Sequence, residues 1–181
     1  MVRIFRGEDI RRLGSGSSGA TNVTRVLGLK YGIPVLLFDT AKGFLPTFFL
    51  TPWLINSGQI AWSEVPVKIV LGIFCIAGHI WTIFGKFKGG KGVGTGAGVV
   101  LSIYPLATVI CLAIWGIIMG ITRFVSVASM AAALCFPVVV FSIGHHDLAL
   151  RIFSLLFPLL ILFTHRRNIQ RLFKGKENRI G

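Results

Sequence analysis

Residues 93–120 read VGTGAGVVLSIYPLATVICLAIWGIIMG, 28 residues without a charge, and how they cross a membrane decides the fold. A spanning helix needs about 20 apolar residues, so the stretch suits one tilted crossing or two crossings broken at Pro105. Flanking charge separates the alternatives. Residues 1–30 carry six Lys/Arg (Arg3, Arg6, Arg11, Arg12, Arg25 and Lys30), the 85–92 loop carries Lys86, Lys88 and Lys91, and the tail from 165 carries six more. The 56–65 loop has no Lys or Arg, and 144–147 offers only His145, His146 and Asp147. A single crossing by 93–120 would place the basic tail outside. Two crossings put every basic segment inside, including the turn with Arg123, as the positive-inside rule requires.

The other apolar stretches are 33–55, 66–84, 124–143 and 148–164. The expectation is therefore an all-α membrane protein, one domain over 1–181, with six transmembrane helices and both ends cytoplasmic. The helix at 93–104 is short, about 18 Å at 1.5 Å per residue. It must be surrounded by other helices, and Gly94, Gly96, Ala97 and Gly98 would let neighbouring backbones approach closely.

Composition points the same way. The chain is 54% hydrophobic and only 14% charged, with a mean hydropathy of +0.78. That is more apolar surface than one soluble core hides. A net charge of +13 is also found in nucleic-acid binders, but the basic residues sit at the edges of the apolar runs, which argues against a nucleic-acid footprint. Cys75, Cys111 and Cys135 all lie inside apolar runs without a CxxC pair, so neither a metal nor a disulfide is expected.

The predicted topology gathers three polar segments at one membrane face. In GSGSSGATN (14–22) the glycines permit positive φ, so that successive N–H groups can line one concavity. Such a nest followed by Arg25 suits a phosphate, whereas the same composition also suits a flexible linker. GKFKGGKG (85–92) comes near a nucleotide P-loop, but Gly92 stands where the magnesium-ligating Ser or Thr should be. It reads either as a second anion site or as an ordinary basic loop. His165 lies at the membrane edge beside Arg166, Arg167 and Asn168, while His79 lies within an apolar span. Asp39 and Lys42 are spaced i,i+3 and are expected to pair on one helix face. No GxSxG elbow is present, and the few acidic residues are too scattered for paired-carboxylate catalysis.

Taken together, DIRRLGSGSSGATNVTR (9–25), GHIWTIFGKFKGGKGVGT (78–95) and HRRNIQRLFKGKE (165–177) resemble the three loop motifs of a bacterial membrane acyltransferase family. That family transfers a fatty acyl group from acyl-phosphate to glycerol 3-phosphate. FVSVASM (124–130) and the Asp39…Lys42-Gly43 pattern match as well, and the likeness runs nearly end to end. It implies that 14–22 is not a linker. It implies that Ser15, Gly16, Ser17, Gly19, Ala20, Thr21 and Asn22 hold the phosphate of acyl-phosphate. It implies that Arg25, Lys91, Ser129, His165 and Asn168 bind glycerol 3-phosphate. His79, Gly89, Gly90 and Glu177 match motif positions without an assigned role. Ser17 stands where the family usually has Asn, Thr82 where it has Pro, and Arg167 where it often has an acidic residue. The resemblance also implies a further apolar helix ahead of the first loop; here Met1 falls where that helix would end, as in a late start or a fragment.

The implied function is acylation of the sn-1 hydroxyl of glycerol 3-phosphate, giving lysophosphatidic acid, the first step of phospholipid synthesis. It would occur at the bacterial inner membrane without a cofactor. Because an acyl-phosphate is already activated, the protein mainly has to position the hydroxyl and stabilise developing charge. Direct attack is expected, with His165 or a substrate phosphate oxygen accepting the proton. The competing readings are a transporter or channel for a small organic anion, and an inactive truncated remnant.

Overall fold

In hydrocarbon a backbone has only itself to hydrogen-bond with, so long apolar runs coil into helices. The computed structural model describes residues 7–144 and 147–180, and its long elements are all helices. They are α1 (Ala20–Leu27), α2 (Leu29–Leu45), α3 (Thr51–Asn56), α4 (Glu64–Ile80), α5 (Val93–Ile103), α6 (Pro105–Thr122), α7 (Val125–Ser142), α8 (Leu148–Thr164) and α9 (Arg166–Phe173). Arg3, Arg6, His145 and His146 lie outside the described residues.

A π-helical turn, Pro46–Leu50, joins α2 to α3, making one apolar stretch of 28 residues, Leu29–Asn56. Pro46 and Pro52 lack the N–H that an α-helix needs, and the Thr hydroxyls next to them donate to carbonyls of the preceding turn. Thr47 Oγ1 donates to the Gly43 carbonyl at 2.7 Å, and Thr51 Oγ1 donates to the Thr47 carbonyl at 2.8 Å. Both threonines are fully buried.

Among the described residues, four segments are long and apolar enough to span a membrane: Leu29–Asn56, Glu64–Gly85, Pro105–Thr122 and Val125–Ser142. A fifth, Leu148–Thr164, qualifies only together with α9, from which it is bent by 60°. The expected count of six is therefore not reached by helix length. The shortfall is α5, which has 11 residues and rises only about 17 Å.

The expectation that α5 must be surrounded does hold. Thr95, Val99 and Val100 on α5 are at most 5% exposed, and the helix packs on α2, α4 and α6. A Cβ on Gly98 would lie 2.0 Å from the Thr40 carbonyl oxygen, and one on Gly43 would lie 2.1 Å from that of Thr95. Backbones at that separation admit only glycine. The far end of α5 stops inside the bundle, where its last carbonyls need a partner. Lys68, a buried residue of α4, donates from Nζ to the Ser102 carbonyl at 2.8 Å and pairs with Glu64 at 2.6 Å. Phe136 of α7 meets Phe153 and Phe157 of α8 edge-on and closes the core on the other side. Outward-facing side chains such as Phe38, Phe74, Ile117, Val138 and Leu159 are exposed, as lipid-facing positions are.

Candidate active site

At one end of the bundle the three polar segments meet. The first is organised by Asn22, the third residue of α1, which is 1% exposed. Its Nδ2 donates to the carbonyls of Ile10, Leu13 and Ser17 at 3.2, 3.0 and 2.8 Å, and its Oδ1 accepts from the Ser15 N–H at 2.8 Å. The carboxamide is thus fully used in shaping the 13–19 loop. Gly14 and Gly16 carry φ values of 56° and 75°, which the turn demands and glycine adopts freely. The Gly16 N–H is also taken, by the Leu13 carbonyl at 3.1 Å. Ala20 and Thr21 open α1, where N–H groups lack an intrahelical partner. Arg11, held by Asp9, donates to the Gly85 carbonyl and ties this loop to the next.

The second segment folds back on the end of α4. The Gly89 N–H donates to the Ile80 carbonyl at 3.0 Å and the Gly90 N–H to that of His79 at 3.3 Å. Those two amides therefore cap a helix and are not free for an anion. What the loop presents is Lys91. Its Nζ donates to Asn168 Oδ1 at 2.6 Å, and its carbonyl accepts from Thr164 Oγ1 at 3.0 Å. Burial lowers the Lys91 pKa to about 8, with Glu177 opposing the drop and Arg171 and Arg25 adding to it. A Cβ built on Gly19 would stand 4.0 Å from the Gly90 Cα, so the two loops lie against each other.

The third segment supplies the α8–α9 bend and the tail. His165 caps α8, is 2% exposed, and has Nδ1 2.8 Å from the Ile161 carbonyl. A carbonyl only accepts, so Nδ1 carries the proton and Nε2 keeps its lone pair. Burial lowers the His165 pKa to about 4, helped by Lys91, and the ring is neutral at physiological pH. Glu177 anchors the tail. Its carboxylate accepts from Ser126 at 3.0 Å, Asn168 at 2.6 Å and Arg171 at 2.7 Å. Burial alone would raise its pKa, but those three hydrogen bonds outweigh it and hold the group below the usual carboxylate range. Arg25 donates to the Asn178 carbonyl at 3.1 Å, and its Nε is buried without a partner. Burial lowers the Arg25 pKa, opposed by Glu177. Ser129, 4% exposed, accepts from Trp115 Nε1 at 3.2 Å, which leaves its own O–H to donate elsewhere. It opens on an apolar groove walled by Val93, Leu112, Trp115, Phe136 and Phe157.

A protein-family model described as glycerol-3-phosphate acyltransferase matches residues 1–175. The chain is 42% identical over 180 residues to the glycerol-3-phosphate acyltransferase of Staphylococcus carnosus, covering 98% of this chain and 87% of that one. It is 38% identical to the one from Fusobacterium nucleatum, at the same coverage. The chain belongs to the glycerol-3-phosphate acyltransferase family. Among solved structures this acyltransferase superposes on PlsY, an integral membrane glycerol 3-phosphate acyltransferase, in its glycerol 3-phosphate form. The TM-score is 0.87, at 36% identity, covering 99% of this chain and 86% of that one. The lysophosphatidic acid form gives a TM-score of 0.80 at 37% identity, covering 93% and 82%. The acyltransferase is thus an integral, multi-pass membrane enzyme, and the transporter reading falls away.

Of the expected site residues, the structure brings Arg25, Lys91, Asn168, His165 and Glu177 together, while Ser129 lines the apolar groove. The phosphate-loop residues adjoin them across Gly90. Sequence reasoning missed Arg11, Trp115 and Arg171: Arg11 and Trp115 act through Gly85 and Ser129, farther along the chain, and Arg171 through Glu177, where the chain turns back after α9. Their only signal was position: Arg11 and Arg171 sit inside the quoted motifs, and Trp115 stands alone in an aliphatic run.

Proposed function

We propose that this acyltransferase takes its acyl group from an acyl-phosphate and delivers it to the sn-1 hydroxyl of glycerol 3-phosphate. The carrying observation is that the loop shaped by Asn22 adjoins the basic cluster around Lys91 across Gly90, while Val93, two residues after Lys91, and Ser129 line an apolar groove. That loop is one anion site, with the α1 N-terminus and Ser17, Gly19, Ala20 and Thr21 facing the donor phosphate. The other is the cluster of Arg25, Lys91, Ser129, His165 and Asn168 for glycerol 3-phosphate, with the unpartnered Arg25 Nε awaiting an oxyanion. Ser15, Gly16 and Asn22 serve the first site by building its loop. The acyl chain lies in the groove beside Ser129, open to lipid.

In the reaction the glycerol oxygen attacks the acyl carbonyl carbon, the bond from that carbon to the phosphate oxygen breaks, and inorganic phosphate departs. The hydroxyl proton ends on a phosphate oxygen. A His165 with a pKa near 4 is too weak a base to hold it at neutral pH, so its Nε2 accepts a hydrogen bond from the hydroxyl and aims it. The α1 N-terminus stabilises the charge that builds on the departing phosphate, while Arg25 and Lys91 hold glycerol 3-phosphate in place. All three loops face the cytoplasm in this reading, as the basic residues direct, with α5 entering the bundle as the short sixth segment.

Purified protein in detergent, given glycerol 3-phosphate and either palmitoyl phosphate or palmitoyl coenzyme A, tests the donor. Lysophosphatidic acid and free phosphate are expected only with palmitoyl phosphate; turnover with the thioester would overturn the assignment.

A further inference from the structure

Two buried ionisable side chains have no part in that scheme. Asp39 of α2 and His79 of α4 are each 9% exposed at the side chain, with His79 Nδ1 3.5 Å from Asp39 Oδ1. Lys42 shares that oxygen at 3.2 Å but is 45% exposed. Ionisable groups within spanning helices are costly, and their retention points to a task.

The other edge of the imidazole shows which task. A Cβ built on Gly90 would lie 2.1 Å from His79 Nε2 and 2.7 Å from Cε1, so the ring fills the space behind the Gly90 backbone. Gly89 and Gly90 are drawn onto it by their hydrogen bonds to the carbonyls of Ile80 and His79. Gly19 of the phosphate loop also lies against Gly90, and the next residue in the chain is Lys91. The ring therefore backs the seam between the two anion sites, and the Asp39 carboxylate stands beside its Nδ1 edge.

We propose that Asp39 and His79 are a positioning pair, which holds the Gly90–Lys91 backbone forward and thereby places the Lys91 ammonium against the phosphate of glycerol 3-phosphate. This rests on the reading of Lys91 as a ligand of that phosphate. Neither residue touches reacting atoms. A shorter or freely rotating side chain at 79 lets the Gly89–Gly90 turn settle toward α4 and withdraws Lys91 with it.

The test uses the full chain in detergent, comparing Lys91→Met, His79→Gln, Asp39→Asn and the His79→Gln/Lys91→Met double variant. KM for glycerol 3-phosphate, KM for palmitoyl phosphate, kcat and Tm are measured for each. Lys91→Met is expected to raise the glycerol 3-phosphate KM about tenfold or more. His79→Gln and Asp39→Asn raise it about fivefold or more with the palmitoyl phosphate KM unchanged. The double variant does no worse than Lys91→Met alone, since both changes act on one contact. Asp39→Asn preserves shape and decides the matter if His79→Gln fails to fold. A loss of kcat at unchanged KM, a lowered Tm with unchanged KM, or additive effects in the double variant would each overturn the proposal. If Lys91→Met itself leaves the KM unchanged, the ligand reading of Lys91 falls and the proposal with it. If Lys91→Met raises KM while the other two do not, only the positioning pair falls.

Discussion

Lys91 shows how burial would tune one residue to the ligand proposed for it. An ammonium taken out of water holds its proton less tightly, which brings the pKa to about 8 in the free enzyme. Below that pH the charge is present and attracts phosphate; above it the charge is lost. The glycerol 3-phosphate KM should therefore climb as pH rises from 8 to 9.5. A Lys91→Arg variant, whose guanidinium stays charged, should show a flat profile across the same range. Asn22 makes the opposite kind of case, a buried neutral group whose four hydrogen bonds all serve its own loop. Asn22→Ala strands the Ser17 carbonyl and the Ser15 N–H, at about 1 kcal/mol or more apiece where water cannot reach them, while the Ile10 and Leu13 carbonyls keep their bonds from the Leu13 and Gly16 N–H groups. A Tm well below that of the parent and a palmitoyl phosphate KM raised at least tenfold are expected. An unchanged KM would show that the loop keeps its shape without the carboxamide.

Helix α5 illustrates what a single element requires of its neighbours. It is too short to span by itself, so Gly43 and Gly98 bring the α2 backbone against it and Lys68 closes its inner end. Adding a methyl group at either glycine forces backbone against backbone, and overpacking of that kind costs about 1–3 kcal/mol. Gly98→Ala should lower the Tm in detergent by several degrees. Gly116→Ala and Gly120→Ala, on α6 with nothing within 4 Å of the new methyl group, should leave it unchanged or slightly raised. Equal effects at all three positions would mean that glycine matters here through helix propensity and not through close approach.

Across the whole molecule the tail acts as a latch. Glu177 joins α7 through Ser126 to α9 through Asn168 and Arg171, while the Ile180 N–H donates to the Arg123 carbonyl at 2.9 Å. Because the folded state lowers the Glu177 pKa, its contribution is fully present above the unfolded value near 4.5 and fades as pH falls through the lower folded value. Glu177→Gln should therefore melt well below the parent at pH 7, with the gap narrowing at pH 3.5. The neutral amide still meets Arg171 but no longer neutralises it, so the Arg25–Lys91 cluster loses its counter-charge as well. A gap that stays constant between the two pH values would rule out the charge of Glu177 as the source of its effect.

The sequence by itself determined the helical membrane character, the apolar stretches and the small-residue face of 93–104. Those follow from local composition and from the periodicity of a helix in hydrocarbon, which act residue by residue. It also brought the three polar segments to one end, because charge at the edges of spans obeys a one-sided rule. The tertiary structure alone decided that α5 stops short, that the Gly89 and Gly90 amides cap α4, and that Asn22 shapes its loop. It likewise decided the pairing of Asp39 with His79 and of Trp115 with Ser129. Each of those depends on groups several residues to tens of residues apart competing for the same donors, acceptors and space. That competition is settled by packing in three dimensions, and no local pattern along the chain records its outcome.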